Sequence, residues 1–358
     1  MFPRLYNWFR RGHLRSKRRA AVDAGVSSQW LSGTFHEPRP GGLHLLRQQQ
    51  LAYRLYLPAG IGKADRLPLI VMLHGCSQTA IEFAEGTRMN AEAEERFCAV
   101  LYPEQSRKSN SQRCWNWFEP ESLIGRGEAA LIVQTVRHVM DHYSIDATRV
   151  YVAGLSAGGA MVAVLCATHG NVFAAGAIHS GVMFHAATTS LQAFQVMRRG
   201  ASKPLHEVTQ KIASQHRPGL RLVPTLIIHG TDDQTVHPIN AAQIVEQTQL
   251  LVESLYRDSE APTLRDEQSI ESGGRRYSQQ DMILGETVLL RSILIEGLGH
   301  AWSGGDGRHK FFDPAGPDAS RLVLEFLLSH RLSTELSTGG RNHAITLGST
   351  ETDASAVE

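Results

Sequence analysis

No run of apolar residues in this 358-residue chain approaches the roughly 18 that a helical membrane span needs, so a membrane-spanning protein is not expected. An excess of charge of one sign is also missing. The 36 Lys and Arg against 35 Asp and Glu leave a formal net charge of +1, too little to steer the whole molecule toward nucleic acid or an anionic surface. Cysteine is scarce: Cys76, Cys98, Cys114 and Cys166 are too few for a disulfide scaffold and lack zinc-site spacing, though one or two bridges stay open. What is plentiful is hydrophobic residues, at 42%, and glycine, at 32 residues, which suits one large globular domain or two small ones.

The two ends differ from the middle. Residues 1–20 carry Arg4, Arg10, Arg11, Arg15, Lys17, Arg18 and Arg19 and no acid, and no apolar stretch follows them. A cleavable signal peptide is therefore not expected, which favours the cytoplasm. Phe2, Leu5, Tyr6, Trp8 and Phe9 interleave with these cations, so the segment reads either as a loosely ordered basic arm or as a surface-seeking amphipathic helix. From Leu332 the chain is rich in Ser, Thr and Gly. The layout expected is a basic arm over 1–33, a folded domain over 34–331 and a polar, disordered tail over 332–358.

The middle is organised around RVYVAGLSAGGAM at 149–161. An apolar strand-like run enters Gly154-Leu155-Ser156-Ala157-Gly158, and a small-residue, helix-compatible stretch follows. This is the strand, sharp turn and helix of a nucleophile elbow, in which a strained serine needs neighbours almost without side chains. Read alone, the pentapeptide is equally a Gly-rich turn after a buried strand. Around it, apolar runs at 67–73, 98–103, 174–180, 222–229 and 287–296 read as strands, and helical patterns at 81–97, 128–143, 240–256 and 318–330 alternate with them. Residues 181–221 interrupt the alternation with a helical piece near 191–199, and 257–286 is polar and unplaced. The pattern predicts an α/β chain with a mainly parallel central sheet and helices on both faces.

Three chemically capable groups follow strands: Ser156, an aspartate at 232 or 233, and His300. The order Ser, Asp, His is that of α/β-hydrolases, and open sheets place their sites at the carboxyl ends of strands. His74-Gly75-Cys76 ends the 67–73 strand, where such a fold draws half of its oxyanion hole. The CWNWF run at 114–118 brings three aromatics into one long loop, as core filling or as the wall of a cleft.

LHGCSQTA, LYPEQ, CWNWF, VYVAGLSAGGAM, HGTDDQTVHP and GHAWSGG, in this order, resemble the polyhydroxybutyrate (PHB) depolymerase family of esterases, over roughly residues 43–330. The resemblance implies an α/β-hydrolase fold and carboxylic-ester hydrolysis through an acyl-enzyme, with no metal or organic cofactor. Position by position it puts the nucleophile at Ser156, the base at His300 and the acid at Asp233, with backbone N–H groups of Cys76 and Ala157 in the oxyanion hole. Secreted members carry a signal peptide and a polymer-binding domain. Neither is read here, which favours soluble oligomers and small esters over crystalline polymer, while the family leaves an extracellular location open. Feruloyl or acetylxylan esterase and a serine peptidase of the same fold are the alternatives, and a non-catalytic binding module is disfavoured because both Ser156 and His300 are kept. Cys76 and Cys114 both follow neighbouring strands near this site, and a bridge between them is expected if the compartment is oxidising. Trp302, two residues past His300, is expected to line the substrate cleft with Trp115 and Trp117.

Overall fold

The computed structural model describes residues 27–38, 49–62, 64–202, 205–214, 221–255 and 262–332. Most of the basic arm and nearly all of the polar tail lie outside the described residues. Thirteen strands are described: β1 (Gln29–His36), β2 (Gln50–Leu57), β3 (Leu67–Leu73), β4 (Ala99–Glu104), β5 (Ile145–Leu155), β6 (Ala175–His179), β7 (Thr225–Gly230), β8 (Thr263–Leu264), β9 (Gln268–Ser272), β10 (Arg275–Leu284), β11 (Thr287–Ile295), β12 (Trp302–Ser303) and β13 (Phe312–Asp313). The helices are α1 (Ala80–Thr87), α2 (Met89–Arg96), α3 (Pro120–Leu123), α4 (Gly127–His142), α5 (Ala157–Thr168), α6 (Ser190–Arg199), α7 (Leu205–Ser214), α8 (Ile239–Leu255) and α9 (Ala319–Leu327).

One sheet organises the chain, in the order β1-β2-β4-β3-β5-β6-β7-β11-β10-β8, with β9 paired to β10. From β4 through β11 the neighbours are parallel, and antiparallel strands close both edges. Parallel strands covered on both faces are apolar nearly throughout, and β3 and β7 are buried along their whole length. Their side chains still alternate between faces. Leu69, Val71 and Leu73 enter one core with residues of α4, α5 and α8, while Ile70 and Met72 enter a second core with α1, α2 and α9. Each large apolar side chain so buried stabilises the fold by roughly 1.5–3 kcal/mol. The α/β-hydrolase architecture expected from the sequence is the one observed.

Three local readings are corrected. The helix expected over 81–97 is two helices, because Arg88 turns left-handed between them (φ 54°) and Phe97 does so at the end (φ 57°). Residues 257–286 supply β8, β9 and β10, an antiparallel edge whose half-exposed positions are polar and so carry no hydrophobic periodicity. Strand β1 begins at Gln29 and pairs along its length with β2, so regular structure starts ahead of the boundary drawn at residue 34.

Candidate active site

Ser156 stands at the end of β5 with φ 57° and ψ −117°, a conformation costly for a residue with a side chain. The neighbours make it possible. A Cβ on Gly154 would fall 2.5 Å from the Gly158 carbonyl carbon, and one on Gly158 would fall 2.1 Å from the Leu73 oxygen. Only bare backbone lets β3, β5 and the first turn of α5 approach this closely. The Ser156 N–H donates to the His179 carbonyl (2.9 Å), tying the elbow to β6. Helix α5 then starts at Ala157, with its unpaired N-terminal N–H groups and positive dipole end beside the serine.

Two strands along, β7 delivers the aspartates, and they part company. Asp232 is exposed and takes a bond from the Thr231 hydroxyl (2.9 Å). Asp233 is 2% exposed. Its Oδ1 accepts from the N–H groups of Thr235 (2.9 Å) and Val236 (2.8 Å), and its Oδ2 accepts from His300 Nδ1 (2.7 Å). Burial by itself would raise this carboxyl, but the His300 bond and charge and the Val236 amide outweigh it and hold the group below the ordinary carboxylate value. A carboxylate only accepts, so His300 carries its proton on Nδ1 and keeps the Nε2 lone pair available. His300 arrives on the loop after β11, the neighbour of β7. Strands β5, β7 and β11 thus end on one edge of the sheet, within four adjacent positions.

Behind the pair lie two buried histidines to which the sequence assigned no role, His179 outside every quoted motif and His229 at the head of HGTDDQTVHP. His179, fully buried at the end of β6, is pushed down to about 3 by burial and by the neighbouring His229 and His300. Its ring stacks on Trp302 at 5.0 Å, and its Nε2 accepts from the Ser303 N–H at 3.4 Å. His229 bonds the Val236 carbonyl through Nε2 (2.7 Å) and lies 3.5 Å from Asp233 Oδ2. Both neutral rings pack the floor under the Asp233–His300 pair.

The loop after β3 comes to the same place, since a Cβ on Gly75 would sit 3.5 Å from the Ser156 Cβ. Within it the Gly75 N–H donates to Gln78 Oε1, the Ser77 N–H to the Gln112 carbonyl and the Gln78 N–H to the Gly75 carbonyl. Among the described residues nothing accepts a bond from the Cys76 N–H. Cys76 is covalently joined to Cys114 (Sγ–Sγ 2.09 Å), as expected.

The three tryptophans require a correction. Trp115 is fully buried, with Nε1–H on the His74 carbonyl (3.1 Å). Trp117 is buried in the same core and packs edge-on against Phe118. Trp302 is buried too, its Nε1–H on Ser320 Oγ (3.1 Å), its ring between His179 and Phe83. Rings this enclosed support the site's loops rather than wall a cleft. The aromatic left at the surface beside His300 is Phe311, 40% exposed at 6.1 Å between ring centroids; no motif surrounds it.

Among the described residues no group of three or more His, Cys, Asp and Glu is arranged to hold a metal ion, and no helix is long and apolar enough to cross a membrane. The chain is 36% identical over 210 residues to poly(3-hydroxyalkanoate) depolymerase C of Paucimonas lemoignei, covering 58% of this chain but 48% of that one. It is 34% identical over 203 residues to feruloyl esterase B of Neurospora crassa, covering 54% and 68%. Its fold superimposes on acetyl xylan esterase from Aspergillus awamori with a TM-score of 0.60 at 21% identity, over 77% of this chain and 93% of that one. The family model for esterase PHB depolymerases matches residues 51–261, more than half the chain, and the protein therefore belongs to that family.

Proposed function

We propose that the protein is a serine esterase that hydrolyses short hydroxyalkanoate esters, hydroxybutyrate oligomers or polymer foremost, or related small esters. The observation that carries this reading is the buried Asp233–His300 hydrogen bond at the same sheet edge as the strained elbow serine. A serine hydroxyl is a weak nucleophile at neutral pH, and His300 Nε2, held in the accepting tautomer by Asp233, takes its proton as Ser156 Oγ attacks the ester carbonyl. Asp233 stabilises the imidazolium that forms. The carbonyl oxygen becomes an oxyanion between the N–H groups of Cys76 and Ala157, each contributing about 3 kcal/mol of barrier lowering. The imidazolium returns its proton to the departing alcohol. Water, deprotonated by the same ring, then attacks the acyl-enzyme, and collapse of the second tetrahedral intermediate frees the acid and restores Ser156.

A feruloyl or acetylxylan ester is the second reading, favoured by the similarity to feruloyl esterase B. The two separate in one panel: p-nitrophenyl acyl esters, hydroxybutyrate oligomers, amorphous polymer, methyl ferulate and a peptide anilide. Oligomer kcat/KM at least tenfold above ferulate supports the first reading, and the reverse order moves the substrate to the second. Cleavage of the anilide alone makes the protein a peptidase.

A further inference from the structure

One buried group at the site is left unused by this mechanism. His74, fully buried at the end of β3, has both ring nitrogens engaged by backbone. Nε2 lies 3.1 Å from the Gln105 N–H. An amide N–H only donates, so Nε2 must be the unprotonated nitrogen and Nδ1 must carry the hydrogen. Nδ1 is 2.8 Å from the Gly75 carbonyl, which accepts that hydrogen. Burial pushes the ring down to about 4, so it is neutral and holds this one tautomer across the working range. With no free lone pair and no exposure, it is not a second base.

The bond matters because of which peptide it grips. The Gly75 carbonyl and the Cys76 N–H belong to the same planar unit and point in opposite directions in a trans peptide. Fixing the carbonyl on the His74 side therefore fixes the Cys76 N–H on the other. We propose that His74 is the positioning residue of the oxyanion hole: its Nδ1–H sets the plane of the Gly75–Cys76 peptide and so aims the Cys76 N–H. The inference rests on the esterase reading above.

The anchoring of His74 itself can be followed outward. Gln105, whose N–H fixes the tautomer, has its side chain on the Cys114 carbonyl (3.2 Å) and on the carboxylate of the half-buried Glu128. Glu128 also receives the Asn116 N–H (2.6 Å) and Asn116 Nδ2 (3.2 Å). Trp115, between Cys114 and Asn116, donates to the His74 carbonyl. The CWNWF loop thus grips the oxyanion loop through His74 on one side and through the Cys76–Cys114 bridge on the other.

The test compares His74→Phe, which keeps a ring but removes both bonds, with His74→Asn, whose amide can donate to the Gly75 carbonyl. For each, kcat and KM are measured on p-nitrophenyl butyrate, together with inhibition by an alkyl trifluoromethyl ketone, which adds to serine as a tetrahedral oxyanion, and the melting temperature. The expected result for His74→Phe is a kcat lower by roughly 10²–10³, KM within threefold, and ketone affinity falling in parallel, with at least tenfold recovery in His74→Asn. A folded His74→Phe that keeps kcat within threefold, or that loses only KM, overturns the inference. Should His74→Phe fail to fold, long-range ¹H–¹⁵N correlation on the wild-type imidazole decides: an Nδ1–H tautomer upholds the assignment and an Nε2–H tautomer refutes it. A wild-type protein inert toward both ester and ketone overturns the esterase reading and this inference with it, whereas an active wild type with an insensitive His74 overturns this inference alone.

Discussion

Replacing Asp233 by asparagine exchanges one oxygen for an NH2 and keeps the shape, yet the hydrogen bonds leave the new side chain only two placements. Oδ1 of Asp233 accepts two backbone N–H groups in a buried site, and Oδ2 accepts His300 Nδ1–H. If the amide turns its NH2 toward Thr235 and Val236, the buried Val236 N–H loses its acceptor, at roughly 1–3 kcal/mol, and the part-buried Thr235 N–H loses its own at a smaller cost. If it keeps its oxygen there, the NH2 faces Nδ1, which must then be the unprotonated nitrogen. The proton moves to Nε2, the atom that has to accept from Ser156. The second placement keeps more bonds and dominates, so the reactive tautomer is reached only at a cost of several kcal/mol, to which the lost carboxylate charge beside the imidazolium adds. About 5 kcal/mol in all corresponds to a kcat lower by 10³–10⁴. The assay is p-nitrophenyl butyrate turnover beside a thermal melt, with Asp232→Asn as the control, because the exposed Asp232 side chain bonds the adjacent Thr231 hydroxyl and not His300. A folded Asp233→Asn with kcat within tenfold of wild type, or a larger loss at position 232, would refute the reasoning.

Three further outcomes are expected. Trp302→Ala should destabilise the fold by about 3–5 kcal/mol and scale all acyl lengths alike; a change in relative kcat/KM among them would return the ring to the cleft wall. The Cys76–Cys114 bridge, with a sequence separation of 38, should contribute about 3–4 kcal/mol, so Cys114→Ser lowers the melting temperature, and unfolded, unreduced protein should show two free thiols rather than four. Stability should fall on acidification: His74 and His179 are pushed down by burial to about 4 and about 3, so below pH 6.5 the unfolded chain takes up protons that the folded one refuses. The loss grows as pH falls, levelling near 4 for His74 and near 3 for His179, and reaches roughly 3 kcal/mol for His74 alone. Urea unfolding at pH 7.5 and 5 measures it, and equal stabilities would contradict the assignment.

The parallel core was legible because strands buried on both faces read as near-continuous apolar runs, as in β3 and the Leu226–Ile228 stretch of β7. The edge strands β8 to β10 were not, since strands with a wet side and many polar residues carry no such run. The break between α1 and α2 was hidden for another reason. Arg88 and Phe97 adopt left-handed backbone without the glycine or asparagine that usually announces it. At the site, Ser156 and His300 were singled out by their own motifs, and the structure brings the strands that carry them to one sheet edge. Between Asp232 and Asp233 the residues alone left the choice open, and the family resemblance picked Asp233, the one the structure buries against His300. The neutral supporting roles of His74, His179 and His229 depend on which backbone groups fold against them, and a histidine at a strand end gives no hint of that. The tryptophans were misread because nearness in sequence to His300 says nothing about which way a ring turns. Trp302 points inward onto His179 and Ser320.

The central claim is that Ser156 is a nucleophile activated by the Asp233–His300 pair. It is tested most directly by treating the purified protein with a fluorophosphonate and locating the adduct by tandem mass spectrometry. The peptide that carries Ser156 also carries Ser180 and Ser190, so fragment ions must assign the site. The account predicts one adduct per chain, on Ser156, formed with the same rate constant at which ester turnover is lost, absent in Ser156→Ala and strongly slowed in His300→Ala. An adduct on another serine, or ester turnover that survives in Ser156→Ala, would contradict it.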